Sequence, residues 1–263
     1  RHNPAQKANR HMYDDVIALG EFYKTPLGQH LAGQMQPHIA QFWQSGHYSC
    51  NVMLGYGIGW LPDENNLTDV PPNLLSLMLA RAGVINWPPA SAGRSSLVDG
   101  HALPLPDVHV DRLLLAHALE VDPRPGRLLD ECWRVLDGSG KLLVAVPNRR
   151  GLWARLEHTP FGHGRPYSER QLCQLLEHHG FEPQRIYHAV FLPPLRNRVL
   201  MRFAVGVERL GQRWWPALGG VLVVEATKML YAAAGNTSKL RHRHAEIAPA
   251  LATFVNGPRK GCM

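Results

Sequence analysis

The sequence predicts an α/β fold, a mostly parallel β-sheet with helices on both faces. From Cys50 onward, apolar runs of strand length alternate with segments of helical periodicity. The first of these runs ends in a glycine-rich turn, Gly55-Tyr56-Gly57-Ile58-Gly59. The chain has 263 residues, 45% hydrophobic and 19% charged, which suits one domain with a full core and excludes intrinsic disorder.

The elements follow in order. Residues 13–45 keep helical spacing through Val16, Leu19, Phe22 and Tyr23, break at Thr25-Pro26-Leu27-Gly28, and resume through Leu31, Met35, Ile39 and Phe42. Cys50 to Leu54 reads as a buried strand running into the glycine loop, and Trp60 to Pro72 as non-helical. Leu74 to Leu79 and Ser95 to Asp99 are the second and third strands, and Val110 to Leu115 the fourth. Asp122-Pro123 predicts a helix start, with Leu128, Leu129, Cys132, Val135 and Leu136 on its inner face and Gly138 at its stop. Lys141 to Val146 is the next strand. Ser168 and Gln171 form a capping box that opens a helix ending at Gly180. Ile186 to Leu192 and Gly220 to Leu230 are the last strands. Between them, residues 196–215 predict an amphipathic basic helix: Val199, Leu200, Phe203, Val207 and Leu210 on one side, Arg196, Arg202, Arg209 and Arg213 elsewhere. The domain is expected over residues 12–235, between a short tail at 1–11 and a basic tail at 236–263.

Charge and composition narrow the function classes. The formal net charge of +7 resides entirely in the two tails, so the body offers no basic groove and nucleic acid is not the expected partner. The best apolar window, Trp214 to Leu230, is broken by Pro216, Glu225 and Lys228, so no membrane span is expected. Without a charged-then-apolar leader, a cytoplasmic location is expected. The four cysteines, Cys50, Cys132, Cys173 and Cys262, have no C-x-x-C spacing and read as reduced thiols. The fifteen histidines form no metal-binding motif, so no metal is expected.

In such sheets ligands bind at the carboxyl ends of the strands, near the switch in strand order. That brings Gly55 to Gly59, Asp99 to Ala102 and Leu115 to His117 to one crevice. Three blocks there carry a resemblance: Asp99-Gly100-His101-Ala102-Leu103-Pro104-Leu105-Pro106-Asp107; Val110 to Glu120, with Leu113-Leu114-Leu115-Ala116-His117-Ala118-Leu119; and Leu128-Leu129-Asp130-Glu131-Cys132-Trp133-Arg134-Val135-Leu136, followed by the Gly138/Gly140 turn and Lys141 to Pro147. Over residues 50–148 the chain resembles the class I S-adenosylmethionine-dependent methyltransferases, specifically the type 11 small-molecule branch. The resemblance implies a Rossmann-like, seven-stranded sheet of order 3-2-1-4-5-7-6 with strand 7 antiparallel. It implies S-adenosylmethionine as cofactor, its amino acid end over Gly55, Tyr56, Gly57 and Gly59. Asp99, with Gly100 and His101, is implied for the adenine end, and Ala116 and His117 for the methionyl part.

The chain also departs from the family. Met53 stands where an acid usually precedes the glycine loop, and Leu77-Met78-Leu79 replaces the acid that holds the ribose hydroxyls. An unpaired hydroxyl pair in a dry site costs about 1–3 kcal/mol, or one to two decades of affinity. The helix after the glycine loop and the helix between strands two and three are short or missing. The residues alone leave both readings open at each position. The glycines form a cofactor cradle or a tight turn, Asp99 binds adenine or caps a turn, and His117 reacts or fills the core.

Methyl transfer asks chiefly for alignment and exclusion of water, with a base of near-neutral pKa where the acceptor carries a proton. His163, His117 and Tyr167 are the candidates. The loop from Arg149 to Tyr167, with Trp153, His158, His163 and Arg165, suits recognition of an acidic or aromatic group, or packing. The basic helix at 196–215 suits a lid or peripheral contact with a membrane surface, and with it a lipid-like acceptor. The expected function is methyl transfer to a small-molecule or lipid-like acceptor. The alternative is a catalytically inactive methyltransferase fold serving as a binding or regulatory subunit with a protein partner.

Overall fold

A computed structural model describes residues 15–44, 50–62, 70–89, 93–156, 159–193 and 218–229, with the single positions 206 and 214. Two helices come first, α1 (Val16–Lys24) and α2 (Pro26–Gln44). The Asp15 carboxylate caps α1 by accepting from the Ile17 N–H at 2.9 Å. Thr25 ends α1, its hydroxyl donating to the Phe22 carbonyl and accepting from the Gly28 N–H as α2 begins. The two helices turn so tightly that a Cβ on Gly28 would collide with the Phe22 backbone.

Seven strands follow: β1 (Asn51–Gly55), β2 (Leu74–Leu79), β3 (Ser95–Val98), β4 (Val110–Ala116), β5 (Leu136–Pro147), β6 (Phe181–Ala189) and β7 (Val221–Lys228). Helix α3 (Pro125–Val135) lies between β4 and β5, and α4 (Glu169–His178) between β5 and β6. The strand order is β3-β2-β1-β4-β5-β7-β6, with β7 antiparallel to both neighbours and the other pairings parallel. This is the expected order. The central strands are buried on both faces and therefore read as unbroken apolar runs.

Alternate residues divide the core into two layers. Met53, Leu114, Leu143 and Val223 face α1 and α2, while Val52, Leu54, Leu113, Leu115, Val144 and Leu222 face α3 and α4.

The boundaries of three elements shift from expectation for identifiable reasons. Helix α3 starts at Pro125 rather than Pro123, because the Asp122 carboxylate accepts from the Arg124 N–H at 2.7 Å and holds the chain in a turn first. Strand β5 starts at Leu136 rather than Lys141, so Gly138 does not stop the helix; Leu136 already pairs with Val110. Strand β6 starts at Phe181 rather than Ile186 and ends at Ala189, short of Leu192. It is an edge strand, so Glu182, Gln184 and Arg185 can stand in solvent and hide the alternation.

After β1 the described residues hold only a 3₁₀ turn, Ile58–Trp60, and none lying between β2 and β3 is helical. The predicted basic helix and both tails lie outside the described residues, except that Gly206 and Trp214 are helical and exposed. No helix among the described residues is long and apolar enough to cross a membrane.

Candidate active site

The crevice begins where β1 and β4 end side by side, Gly55 level with Ala116. Gly55 has φ +92°, and a Cβ there would overlap the Ala116 carbonyl oxygen. A Cβ on Gly57 would reach the Met53 sulfur at 2.5 Å, and one on Gly59 the Tyr23 ring at 2.5 Å. All three glycines are thus required by the protein's own packing, and Tyr56 between them is buried with its hydroxyl pKa pushed up to about 12 by burial.

His117 follows Ala116 with φ +50°, a left-handed conformation uncommon outside glycine and enriched at functional sites. Its Nε2 lies 2.7 Å from the Tyr23 hydroxyl and its Nδ1 3.2 Å from Glu120 Oε1. The Trp60 indole N–H donates to the same Tyr23 oxygen at 2.6 Å. Phe161 lies against the imidazole, ring centres 4.7 Å apart. Tyr23, Trp60, His117, Glu120 and Phe161 are all buried.

Beside this cluster lies a cavity of about 60 Å³. Its walls are Gly55, Tyr56, Met78, Leu79, Arg81, His117 and His163, and Val16 and Leu19 of α1 roof it. Arg81 follows β2 and reaches across to the carbonyls of Val121 and Ala118.

The structure brings His117 and His163 to one cavity but leaves Tyr167 elsewhere. Tyr167 packs into the layer facing α3 and α4, with its hydroxyl buried and unpartnered. Asp99 lies at the rim, where its carboxylate accepts from the His101 N–H at 2.9 Å and its side chain is 67% exposed. Gly100 packs on Leu79 and Leu128. His101 is held between Asp122, 3.0 Å from Nε2, and the Arg124 guanidinium, 3.0 Å from Nδ1. In the loop after β5, Trp153 is a packing residue: it is buried, with its N–H on the Leu192 carbonyl. Arg165 lies over the Tyr167 ring, and His158 is outside the described residues.

Sequence reasoning missed Tyr23, Trp60, Arg81, Glu120 and Phe161. Tyr23 reads as one more apolar position of α1, and no spacing links residue 23 to residue 117. The i, i+3 pair His117 and Glu120 was the one available signal.

Known proteins share this architecture. Residues 70–144 match the family model described as a methyltransferase domain. A curated protein of Mycolicibacterium smegmatis, described as an S-adenosylmethionine-dependent methyltransferase, is 34% identical over 101 residues, or 36% of this chain. The match spans only 39% of that relative's length. Among solved structures, an S-adenosylmethionine-dependent methyltransferase from Thermotoga maritima aligns with a TM-score of 0.56 at 16% identity, covering 83% of this chain and 99% of the other. A chain from the complex between the Haloferax volcanii Trm112 methyltransferase activator and a methyltransferase aligns at 0.57 with 17% identity, covering 84% and 98%. A Mesorhizobium loti S-adenosylmethionine-dependent methyltransferase aligns at 0.52 with 16% identity, covering 75% and 100%. Residues 70–144 are thus similar to a methyltransferase domain, and the fold of the chain is that of S-adenosylmethionine-dependent methyltransferases of known structure.

The lining fits that cofactor in kind. Met78 and Leu79 offer apolar walls to a flat base, and the Gly55–Gly57 backbone offers polar groups to a zwitterionic end. In size the cavity falls short of the roughly 300–1,000 Å³ of small-molecule sites. Val16 and Leu19 of α1 are among the residues that close it.

Proposed function

We propose that this protein transfers a methyl group from S-adenosylmethionine to a small-molecule acceptor. The cavity at the carboxyl ends of β1, β2 and β4 carries this reading, because it places His117 and His163 beside the glycine turn. The cofactor supplies an activated methyl group on a sulfonium centre. The chain's own residues do the rest. The Gly55–Gly57 turn and Ala116 line the methionyl end, Asp99 and His101 stand at the adenine end, and the aromatic cluster keeps water from the reacting atoms. His117 and His163 are the groups within the cavity that accept a proton.

Calorimetric titration of the full chain with S-adenosylhomocysteine tests the reading. Micromolar binding is expected, weakened at least tenfold in Asp99→Ala. Absence of heat at millimolar ligand would overturn the reading, and the inactive binding subunit would then be the better description.

A further inference from the structure

The Tyr23 side chain is bound like a ligand. Its ring stacks on Tyr56, with centres 5.9 Å apart and planes at 22°, and meets Trp60 edge-on at 6.5 Å. Its hydroxyl sits between the Trp60 N–H at 2.6 Å and His117 Nε2 at 2.7 Å. The proton positions follow from the partners. Glu120 accepts at His117 Nδ1, so in the neutral imidazole Nδ1 carries the hydrogen and Nε2 offers a lone pair. Tyr23 therefore donates to Nε2, and Trp60, which can only donate, supplies its N–H to the Tyr23 oxygen. The second Glu120 oxygen is buried with no partner, which keeps that carboxylate's hydrogen bonding centred on His117.

A phenol held in an aromatic box, with its proton aimed at an imidazole backed by a carboxylate, is an arrangement for taking the proton from a phenol. Here the phenol is the protein's own, and it rides on the helix that roofs the cofactor cavity. Burial holds the Tyr23 hydroxyl well above the usual tyrosine range, so it stays protonated. We infer that Tyr23 is an internal placeholder for the methyl acceptor, and that the box of Tyr56, Trp60, His117 and Phe161 receives an aromatic hydroxyl compound when α1 withdraws. The inference rests on the methyltransferase reading. His117 is then the catalytic base and Glu120 its positioning residue.

In the reaction the acceptor's O–H bond breaks and its proton passes to His117 Nε2. The oxygen lone pair forms the new O–CH₃ bond, the methyl leaves its sulfur, and that bonding pair remains on sulfur as a thioether. Glu120 faces the imidazolium that results.

The test uses the full chain with Tyr23→Ala, p-cresol as the phenol probe and toluene as its hydroxyl-free match. Calorimetry should find p-cresol bound at least tenfold more tightly than toluene, with the preference lost on adding His117→Phe. With S-adenosylmethionine present, 4-methylanisole should form. Glu120→Gln should lower its rate at saturating p-cresol while leaving p-cresol affinity within twofold, since the imidazole loses the carboxylate that orients it. Equal binding of p-cresol and toluene would overturn the inference. So would p-cresol and S-adenosylhomocysteine both binding without 4-methylanisole appearing. Failure of S-adenosylhomocysteine to bind would instead overturn the methyltransferase reading beneath it. Should Tyr23→Ala not fold, Tyr23→Phe keeps the ring and removes its hydroxyl from His117. p-Cresol should then bind about fivefold tighter than to the unaltered chain, the worth of one hydrogen bond; unchanged affinity would overturn the inference.

Discussion

Gly55 illustrates how one residue sets the site. Its φ of +92° turns the chain out of β1, and the missing Cβ lets the backbone close onto Ala116. Gly55→Ala combines a strained backbone with a collision against a carbonyl that belongs to the sheet. A loss of about 2–4 kcal/mol is expected, read as a lower urea midpoint with unchanged slope. That glycine was legible in the sequence, since a strand running into G-x-G-x-G demands a turn. What it packs against was not. Met53 behind Gly57 and Tyr23 over Gly59 are contacts made across the fold, and they give these glycines a packing role that motif reading does not reveal.

Among the elements, α3 has a second task besides covering the sheet. Arg134 forks onto Glu131 and also holds the carbonyls of Leu103 and Leu105, while Glu131 accepts from the Leu103 N–H. The helix thereby clamps the segment after Asp99, which forms the rim of the crevice. The Arg134 hydrogen bond, aided by the Leu103 N–H, holds the Glu131 carboxyl below the usual carboxylate range. A carboxyl whose folded pKa is depressed stabilises the fold fully above its unfolded value, near about 4.3, and loses that stabilisation as pH falls through the folded value. Urea melts from pH 6 to pH 3 should therefore show the unaltered chain losing more stability below about pH 4.5 than Glu131→Gln does. Equal losses would refute the clamp as an ionic one. The helix itself was legible from Leu128, Leu129, Cys132 and Val135. Its first residue was misplaced, because Asp122 uses its side chain to make a turn instead of a cap.

At the scale of the whole molecule, one face of the sheet depends on the N-terminal helices. Met53, Leu74, Met78, Leu114, Leu143 and Val223 pack in the same layer as residues of α1 and α2, and this layer also contains the aromatic cluster around His117. Deleting residues 1–44 would expose that face. The shortened chain is expected to keep far-UV dichroism, lose near-UV dichroism and bind a hydrophobic dye, as a sheet without fixed packing does. A shortened chain that melts cooperatively near the original temperature would show that α1 and α2 are accessory to the fold.

The sequence by itself determined the layers, and its resemblance to the class I methyltransferases implied the strand order. Apolar alternation, glycine stops and the Ser168 capping box are local signals, and the residues from Asp99 to Pro147 carry the family's pattern in one continuous run. The tertiary structure decided the chemistry of the crevice. Tyr23, Trp60, the pair His117 and Glu120, and Phe161 come from four separate places in the chain, and only the folding of α1 over the ends of β1 and β4 brings them within hydrogen-bonding and ring-contact distance. Periodicity records which residues turn inward; which of them meet is set by the packing of one layer upon another.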